Sequence, residues 1–288
     1  MSADTAGDVF TLNQNASGGG SDPTSYEYAA GATFDATPKV IGPGVLQPPN
    51  ASTANPTNLI GLQADPTGTL FELFPAYAPQ SSGPDSAGIA SLAAPYTSAS
   101  SVFSDVAPNA WPYNGYNAPG PVFVDKKDDV IVGFEPVANP SVPSFIGVFA
   151  GGTGHYVFPT GDPAIGGVWS DGTTVYAFVN GNGADSIISY SLAGIVAGTA
   201  TESTVFSTTS LTTVGQSNNQ LVRDASGYYY VAAYDTMYAF APGSAGASAK
   251  PAVSFTNAFD PTTSSNAMVV PSGLVAPGNG IEGIGVQP

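Results

Sequence analysis

Residues 224–243, DASGYYYVAAYDTMYAFAPG, decide how the rest of the chain is interpreted. The segment opens with Asp224, has Gly227 three positions later, and continues into aromatic and β-branched side chains. An Asp side chain can bond the backbone two residues on, and Gly tolerates a positive φ, so DASG predicts a tight turn. The residues after it suit a pleated strand. The segment therefore predicts a turn that leads into β-structure.

The same turn-and-strand pattern occurs four more times along the 288 residues. An alignment without gaps brings together DTAGDVF from Asp4, DPTGTLF from Asp65, DKKDDVI from Asp125, SDGTTVY from Ser170 and DASGYYY from Asp224. Each interval between these turns also shows four short apolar segments, one before the turn and three after it. The third of them in the interval from Ser170 is SIISYSLAG, residues 186–194. The chain is thus predicted to consist of repeated four-stranded units.

Four short strands cannot bury both faces of a sheet alone, so such units stack radially as the blades of a β-propeller. We predict an all-β propeller of five four-stranded blades, built as one domain over residues 1–288. The final strand, EGIGVQ at 282–287, has no turn after it, and DTAGDVF has no recognisable strand before it. Pairing these two would close the ring and remove free sheet edges. Six blades and a long β-sandwich are the alternatives.

The composition fits a folded, acidic and turn-rich protein. Hydrophobic residues make up 42% of the chain and charged residues 9%, while 21 acidic against 5 basic residues give a net charge of -16. Nucleic acid is therefore not an expected partner, because phosphate contacts need clustered Lys and Arg. No apolar run is long enough to span a membrane. The absence of Cys excludes disulfides and thiol catalysis. A residue usage rich in Ser, Thr, Gly and Tyr, with no leader in this sequence, suggests a secreted or cell-surface protein.

The loops that enter the innermost strands are predicted to surround one mouth of the central channel. Their polar residues should form a ring by pseudo-symmetry. Such a ring could hold Ca²⁺ through oxygen ligands or bond a sugar, or it could simply bond its own backbone. These residues are Asn58, Asn117, Asp162, Asn219 and Glu282.

One of these loops, residues 106–120, is rich in aromatic side chains. Trp111, Tyr113 and Tyr116 lie within six positions of each other. Aromatic planes on a rigid loop can stack on a sugar or an apolar peptide, and the same rings could instead fold inward over the channel. The three residues are candidate ligand contacts.

Catalysis in the channel would depend on carboxylates. Asp125, Asp162, Asp224 and Glu282 are the candidates for a glycosidase, which needs two carboxyl groups at a defined separation. A metal-dependent lactonase or lyase would draw on Glu282 with Asn58 and Asn219. His155 is the only histidine. Asp125 and Asp224 also open repeat turns, which gives them a structural explanation.

Residues 224–243 resemble an NHL-type repeat in the DxxG turn, the aliphatic or aromatic strand, and the next strand ending in Phe or Tyr. NHL-like propellers commonly have six blades. The resemblance implies a propeller fold with binding at one face and implies no particular reaction.

Three functions are compatible with these observations. We expect first a non-catalytic extracellular propeller that binds a glycan, a peptide or a partner subunit through the long-loop face, with no cofactor except possible Ca²⁺. The alternatives are a channel-sited hydrolase or lyase of the glycosidase or lactonase type, and a structural subunit of a surface assembly. The sequence leaves the oligomeric state open.

Overall fold

A computed structural model describes most of the β-structure of the chain. The described residues are 2–13, 24–32, 37–41, 61–77, 86–97, 101–105, 117–136, 143–181, 184–209, 211, 221–233, 236–243 and 253–256. Twenty strands within these ranges form five antiparallel sheets of four strands, and each sheet uses four strands that are consecutive in the sequence. This is the propeller-type all-β fold predicted from the repeat, with five blades among the described residues.

The blades are numbered here in chain order. Blade 1 contains β1 (Ser2–Ala3), β2 (Val9–Asn13), β3 (Thr24–Tyr28) and β4 (Lys39–Ile41). Blade 2 contains β5 (Gly61–Ala64), β6 (Leu70–Tyr77), β7 (Ser86–Leu92) and β8 (Ser101–Asp105). Blade 3 contains β9 (Asn117–Val124), β10 (Val130–Pro136), β11 (Phe145–Ala150) and β12 (Thr153–Val157).

The last two blades complete the described sheets. Blade 4 contains β13 (Ala164–Ser170), β14 (Thr174–Gly181), β15 (Ala184–Ser191) and β16 (Ser203–Thr209). Blade 5 contains β17 (Leu221–Arg223), β18 (Tyr229–Ala233), β19 (Thr236–Phe240) and β20 (Val253–Thr256). Neighbouring blades meet through their first strands, since β1 contacts β5, β5 contacts β9, β9 contacts β13 and β13 contacts β17.

The core lies between successive sheets, as radial stacking requires. Blades 1 and 2 share a buried cluster that includes Phe10, Leu62 and Leu70. Blades 3 and 4 share a second one, built mainly from Val and Ile. Inside blade 3, Phe134 stacks on Phe145 with the ring centroids 4.5 Å apart. The β-branched and aromatic residues that predicted the strands thus form the interfaces between blades.

The structure corrects three details of the sequence prediction. DTAGDVF does have a strand before it, because Ser2 and Ala3 pair with Phe10 and Val9. Residues 282–287, which were predicted to close the ring, lie outside the described residues. The segment 186–194 is not one strand. It ends at Ser191, whose side chain accepts a hydrogen bond from the Gly194 N–H and caps a short helix, α1 (Leu192–Ala197).

The third correction concerns the turn of blade 4. The ungapped alignment put Ser170 at the turn-opening position, but Ser170 is the last residue of β13 and pairs with Val175. Asp171 opens this turn, and its side chain accepts hydrogen bonds from the backbone of Thr173 and Thr174. The turn of blade 4 is one residue shorter than the other four turns. A correct alignment of the five turns therefore needs a one-residue gap in SDGTTVY, and the similarity of SDG to the DxxG pattern hides this need.

Candidate active site

An Asp opens the turn between the first and second strands of every blade. In four blades, one carboxylate oxygen of this Asp accepts a hydrogen bond from the backbone N–H four residues later. The N–O distances are 2.9 Å for Asp4, 2.8 Å for Asp65, 3.3 Å for Asp125 and 2.9 Å for Asp224. These bonds satisfy backbone donors inside a tight turn, which explains why the sequence repeats Asp there.

The residue three positions after each of these Asp residues has a positive φ. Three turns fill the position with glycine, at Gly7 (90°), Gly68 (88°) and Gly227 (86°). Blade 3 fills it with Asp128, at a φ of 62°. A side chain in this conformation costs about 1 kcal/mol or more, which glycine avoids. The turn of blade 3 thus departs from the repeat at a strained position.

In blades 2 and 3, this position faces the turn of the preceding blade. A Cβ atom added to Gly68 would lie 3.0 Å from Oδ2 of Asp4 in blade 1. The corresponding neighbour of Asp128 is Asp65 in blade 2, and the two side chains lie close enough for Asp65 to act on the pKa of Asp128. Replacing the repeat glycine by Asp therefore creates a carboxyl pair across the boundary between blades 2 and 3.

Two neighbouring carboxylates repel each other, so the charge of one raises the pKa of the other. Asp65 is buried, and its Oδ1 accepts from Thr67 N at 2.7 Å, Thr67 Oγ1 at 2.8 Å and Thr69 N at 2.8 Å. Burial, the hydrogen bond with Asp65 and the charges of Asp65 and Asp125 raise the pKa of Asp128 above its usual range. Asp128 is exposed to solvent, whereas Asp65 is buried.

Further charges surround the pair. Asp129 is buried, and burial together with the charge of Asp125 raises its pKa. Asp125 is 2% exposed, and its Oδ2 accepts a hydrogen bond from Ser170 Oγ of blade 4 at 2.9 Å. Lys127 donates its side-chain proton to the Gly172 carbonyl of blade 4. The neighbouring carboxyl groups thus add to the raised pKa of Asp128.

Two of the carboxylates predicted for catalysis have structural roles in the described residues. Asp125 holds its own turn and bonds Ser170 of the next blade. Asp224 accepts hydrogen bonds from Tyr228 N and from Tyr230 Oη at 3.0 Å. Their oxygens are engaged in bonds that hold the blades, in agreement with the structural explanation.

The predicted ligand residues fall mostly outside the described residues. This applies to Trp111, Tyr113, Tyr116, Asn58, Asn219 and Glu282. Asn117 is described by its backbone as the first residue of β9. Asp162 is exposed and precedes β13, and its Oδ1 accepts a hydrogen bond from Ser144 N at 2.6 Å. The ligand role of all eight residues, the possible Ca²⁺ and the secreted location stay predictions.

The described ranges contain neither a metal-binding cluster nor a membrane-spanning helix. No group of three His, Asp or Glu side chains there is arranged to hold a metal ion. In the same ranges, no helix is long and apolar enough to cross a bilayer.

The Asp65 and Asp128 pair was missed at the sequence level. The signal was present, because DKKDDVI has Asp where DTAGDVF, DPTGTLF and DASGYYY have Gly. The sequence alone does not show that Asp65 is the neighbour of Asp128. That neighbour follows only from the way the sheets of blades 2 and 3 stack.

The shifted pKa values predict an unusual pH dependence of stability. Burial also raises the pKa of Asp185, despite hydrogen bonds from Leu211 N and Asn180. Groups such as Asp128, Asp129 and Asp185, raised above the ordinary 3.8, stabilise the fold below that value and lose this contribution as pH rises through their folded-state pKa. The Tm should therefore rise by a few degrees as the pH is lowered from 7 toward about 4.5.

The opposite trend should follow at lower pH. For Asp171 and Asp224, hydrogen bonds outweigh burial and lower the pKa, so their contribution is lost as pH falls below 3.8. Differential scanning calorimetry from pH 3 to 8 would test this. Asp128→Asn should flatten the rise, and a Tm that falls steadily from pH 7 to 5 would contradict the assignment.

Comparison with known proteins gives a structural similarity only. No protein-family model matches the sequence, and no curated protein matches it. Among solved structures, the chain is similar to an X-ray structure of a protein assigned as a gluconolactonase. The identity is 12%, the TM-score is 0.43, and the match covers 77% of this chain and 68% of the other.

This comparison corrects the functional expectation. The similar structure is assigned as an enzyme, whereas the sequence favoured a non-catalytic module binding a glycan, a peptide or a partner subunit. That prediction is wrong on this finding, and the alternative, a channel-sited hydrolase or lyase, fits it better.

Proposed function

We propose that the chain is a hydrolase of carbonyl esters, with lactones as the substrate class and Asp65 and Asp128 as the acid–base pair. The observation that carries this proposal is the meeting of two carboxyl side chains across a blade boundary: Asp65 is buried, and Asp128 is exposed at a left-handed backbone position with its pKa raised by burial and by Asp65. When their environments give two neighbouring carboxyl groups different pKa values, one can act as the acid and the other as the base near neutral pH.

The separation of the two groups selects among the hydrolases. Asp65 acts directly on Asp128, so the two carboxyl groups are neighbours, whereas glycosidases need their two carboxyl groups about 5 to 9.5 Å apart to fit a sugar carbon or a water. The pair is therefore too close for glycoside hydrolysis. Addition of water to a carbonyl group, with one carboxyl taking a proton and the other giving one, fits a close pair.

The reaction would proceed in two balanced steps. The Asp65 carboxylate removes a proton from water as the water oxygen bonds to the lactone carbonyl carbon, and Asp128 gives its proton to the carbonyl oxygen. The tetrahedral intermediate then returns this proton to Asp128 and breaks its bond to the ring oxygen, which takes the proton held by Asp65. The product is the open hydroxy acid, and both side chains regain their starting forms.

The family relationship belongs to the same proposal. The lactonase assignment of the similar structure supplies a substrate class to test. The DASGYYY turn supports a relationship to NHL-like propellers. Neither replaces the carboxyl pair as the basis of the function.

Hydrolysis of γ- and δ-lactones, glucono-δ-lactone included, should be measured by acid release in a pH-stat, with Ca²⁺ and with EDTA. We expect Asp128→Asn and Asp65→Asn to lower kcat/KM by about 100-fold or more, because general acid–base catalysis typically contributes that much. Glu202→Gln is the matched control, since it changes a carboxyl to an amide outside the pair. It should keep wild-type activity.

Asp128→Gly separates catalysis from folding. It restores the repeat residue at a positive φ and removes a carboxyl group from the negative cluster, so the variant should be more stable by about 1 kcal/mol and inactive. Full activity in Asp128→Asn, or no lactone turnover by the wild type under either metal condition, would reject the proposal.

A further inference from the structure

Tyr96 is a strained residue beside the carboxyl pair. It follows β7, has a φ of 57°, and is 8% exposed. A left-handed conformation is uncommon for a bulky side chain and persists only where the surroundings fix it. Among the described residues, only Tyr96, Asp128 and Asp162 have a positive φ without being glycine. The reason for holding Tyr96 there lies in its contacts.

The ring of Tyr96 is fixed by blade 1. It packs edge-on against Phe10, with the centroids 5.8 Å apart. The Lys39 ammonium lies 4.7 Å from the ring centroid and forms an ion pair with Glu27 at 2.8 Å. These contacts involve the aromatic ring and leave the hydroxyl group to make a separate interaction.

The hydroxyl of Tyr96 donates a hydrogen bond to the Gly68 carbonyl oxygen at 2.8 Å. The Gly68 carbonyl and the Thr69 N–H belong to the same peptide unit, and Thr69 N donates to Asp65 Oδ1, also at 2.8 Å. A donor on a carbonyl oxygen polarises the peptide and strengthens the bond made by its N–H. Tyr96 and Asp65 are thus connected through one peptide unit.

We propose that Tyr96 is a positioning residue for Asp65, acting through the Gly68–Thr69 peptide to stabilise the charged, proton-accepting form of that carboxyl group. This inference rests on the proposed function, in which Asp65 is the base. Tyr96 touches neither reacting group, so it acts only through the peptide.

The phenol remains a donor over the working pH range. Burial and the charges of Glu27, Asp4, Asp8 and Asp65 raise the pKa of Tyr96 to about 12. The hydroxyl therefore keeps its proton wherever the pair is active, and its bond to Gly68 does not change with pH. Any pH dependence then comes from the carboxyl groups.

Tyr96→Phe removes the hydroxyl and keeps the ring packing on Phe10 and Lys39. We expect the acid limb of the kcat/KM profile to move to higher pH by about half a unit to one unit, with kcat/KM at low pH falling about three- to tenfold. ¹³C NMR titration of the Asp65 and Asp128 side-chain carboxyl groups should show the first ionisation of the pair displaced in the same direction.

Tyr156→Phe is the matched control. It makes the same chemical change on β12 of blade 3, where Tyr156 is 41% exposed, and should leave the profile and the titration unchanged. An unaltered titration in Tyr96→Phe would overturn the inference even if the wild type is an active lactonase. If the wild type has no activity, the NMR titration still decides the role of Tyr96, so the two proposals can fail separately.

Discussion

Phe134→Ala is expected to lower the free energy of unfolding by about 3 to 5 kcal/mol, the range for removal of a fully buried Phe. Phe134 is fully buried in β10 and stacks on Phe145, which is also fully buried. Its removal takes away a large apolar contact and leaves a cavity that β-sheet neighbours cannot fill by a small shift. Urea unfolding followed by circular dichroism would measure the change.

Phe158→Ala is the control for this prediction. Phe158 also contacts Phe145, with the centroids 6.2 Å apart, but it is 39% exposed. Its loss should cost about 1 kcal/mol or less, because much of the ring is already in water. Equal losses for the two variants would show that blade 3 does not have its core at the Phe134 stack.

Asp125→Ala is expected to cost about 3 kcal/mol. The change leaves Asp129 N and Ser170 Oγ without their acceptor at buried positions, where each unsatisfied donor costs about 1 to 3 kcal/mol. It also removes the bond from Lys127 N, which water can replace because Lys127 is exposed. Relief of repulsion with Asp128 and Asp129 offsets part of this loss. The effect should be visible as a lower urea midpoint with an unchanged m-value.

Asp125→Asn provides the comparison. The amide keeps one oxygen acceptor in the same shape, so we expect roughly half the loss or less. A stability for Asp125→Ala equal to that of the wild type would mean that the turn is held by its backbone alone, and that the contact from blade 3 to Ser170 of blade 4 contributes nothing.

The sequence was sufficient for the fold because the repeat is local. Asp and Gly at fixed positions in a turn, followed by alternating apolar residues, determine a hairpin through interactions within about ten residues. Two boundaries were predicted wrongly, the start of the blade 4 turn and the end of β15. In both places the local sequence also fitted a second interpretation. Ser170 resembles a turn-opening residue, and the Ser191 cap ends a strand that its apolar residues would otherwise continue into α1.

The candidate site was not predictable in the same way. Its partners, Asp65, Asp128 and Tyr96, come from two turns and a connection that only sheet stacking brings together. Each of them looks ordinary in the sequence. The informative feature of the sequence was Asp128 at a position where three other turns have glycine. This difference becomes significant once the left-handed backbone at that position is known.

The glycine positions of the turns have a consequence for how such a fold acquires activity. Two successive blade boundaries repeat the same geometry, because Gly68 of blade 2 stands before Asp4 of blade 1 as Asp128 of blade 3 stands before Asp65 of blade 2. One codon change in a duplicated unit is enough to place a second acid there, at the cost of a little local strain. New chemistry can therefore arise at one blade boundary while a neighbouring boundary keeps glycine and continues to maintain the fold.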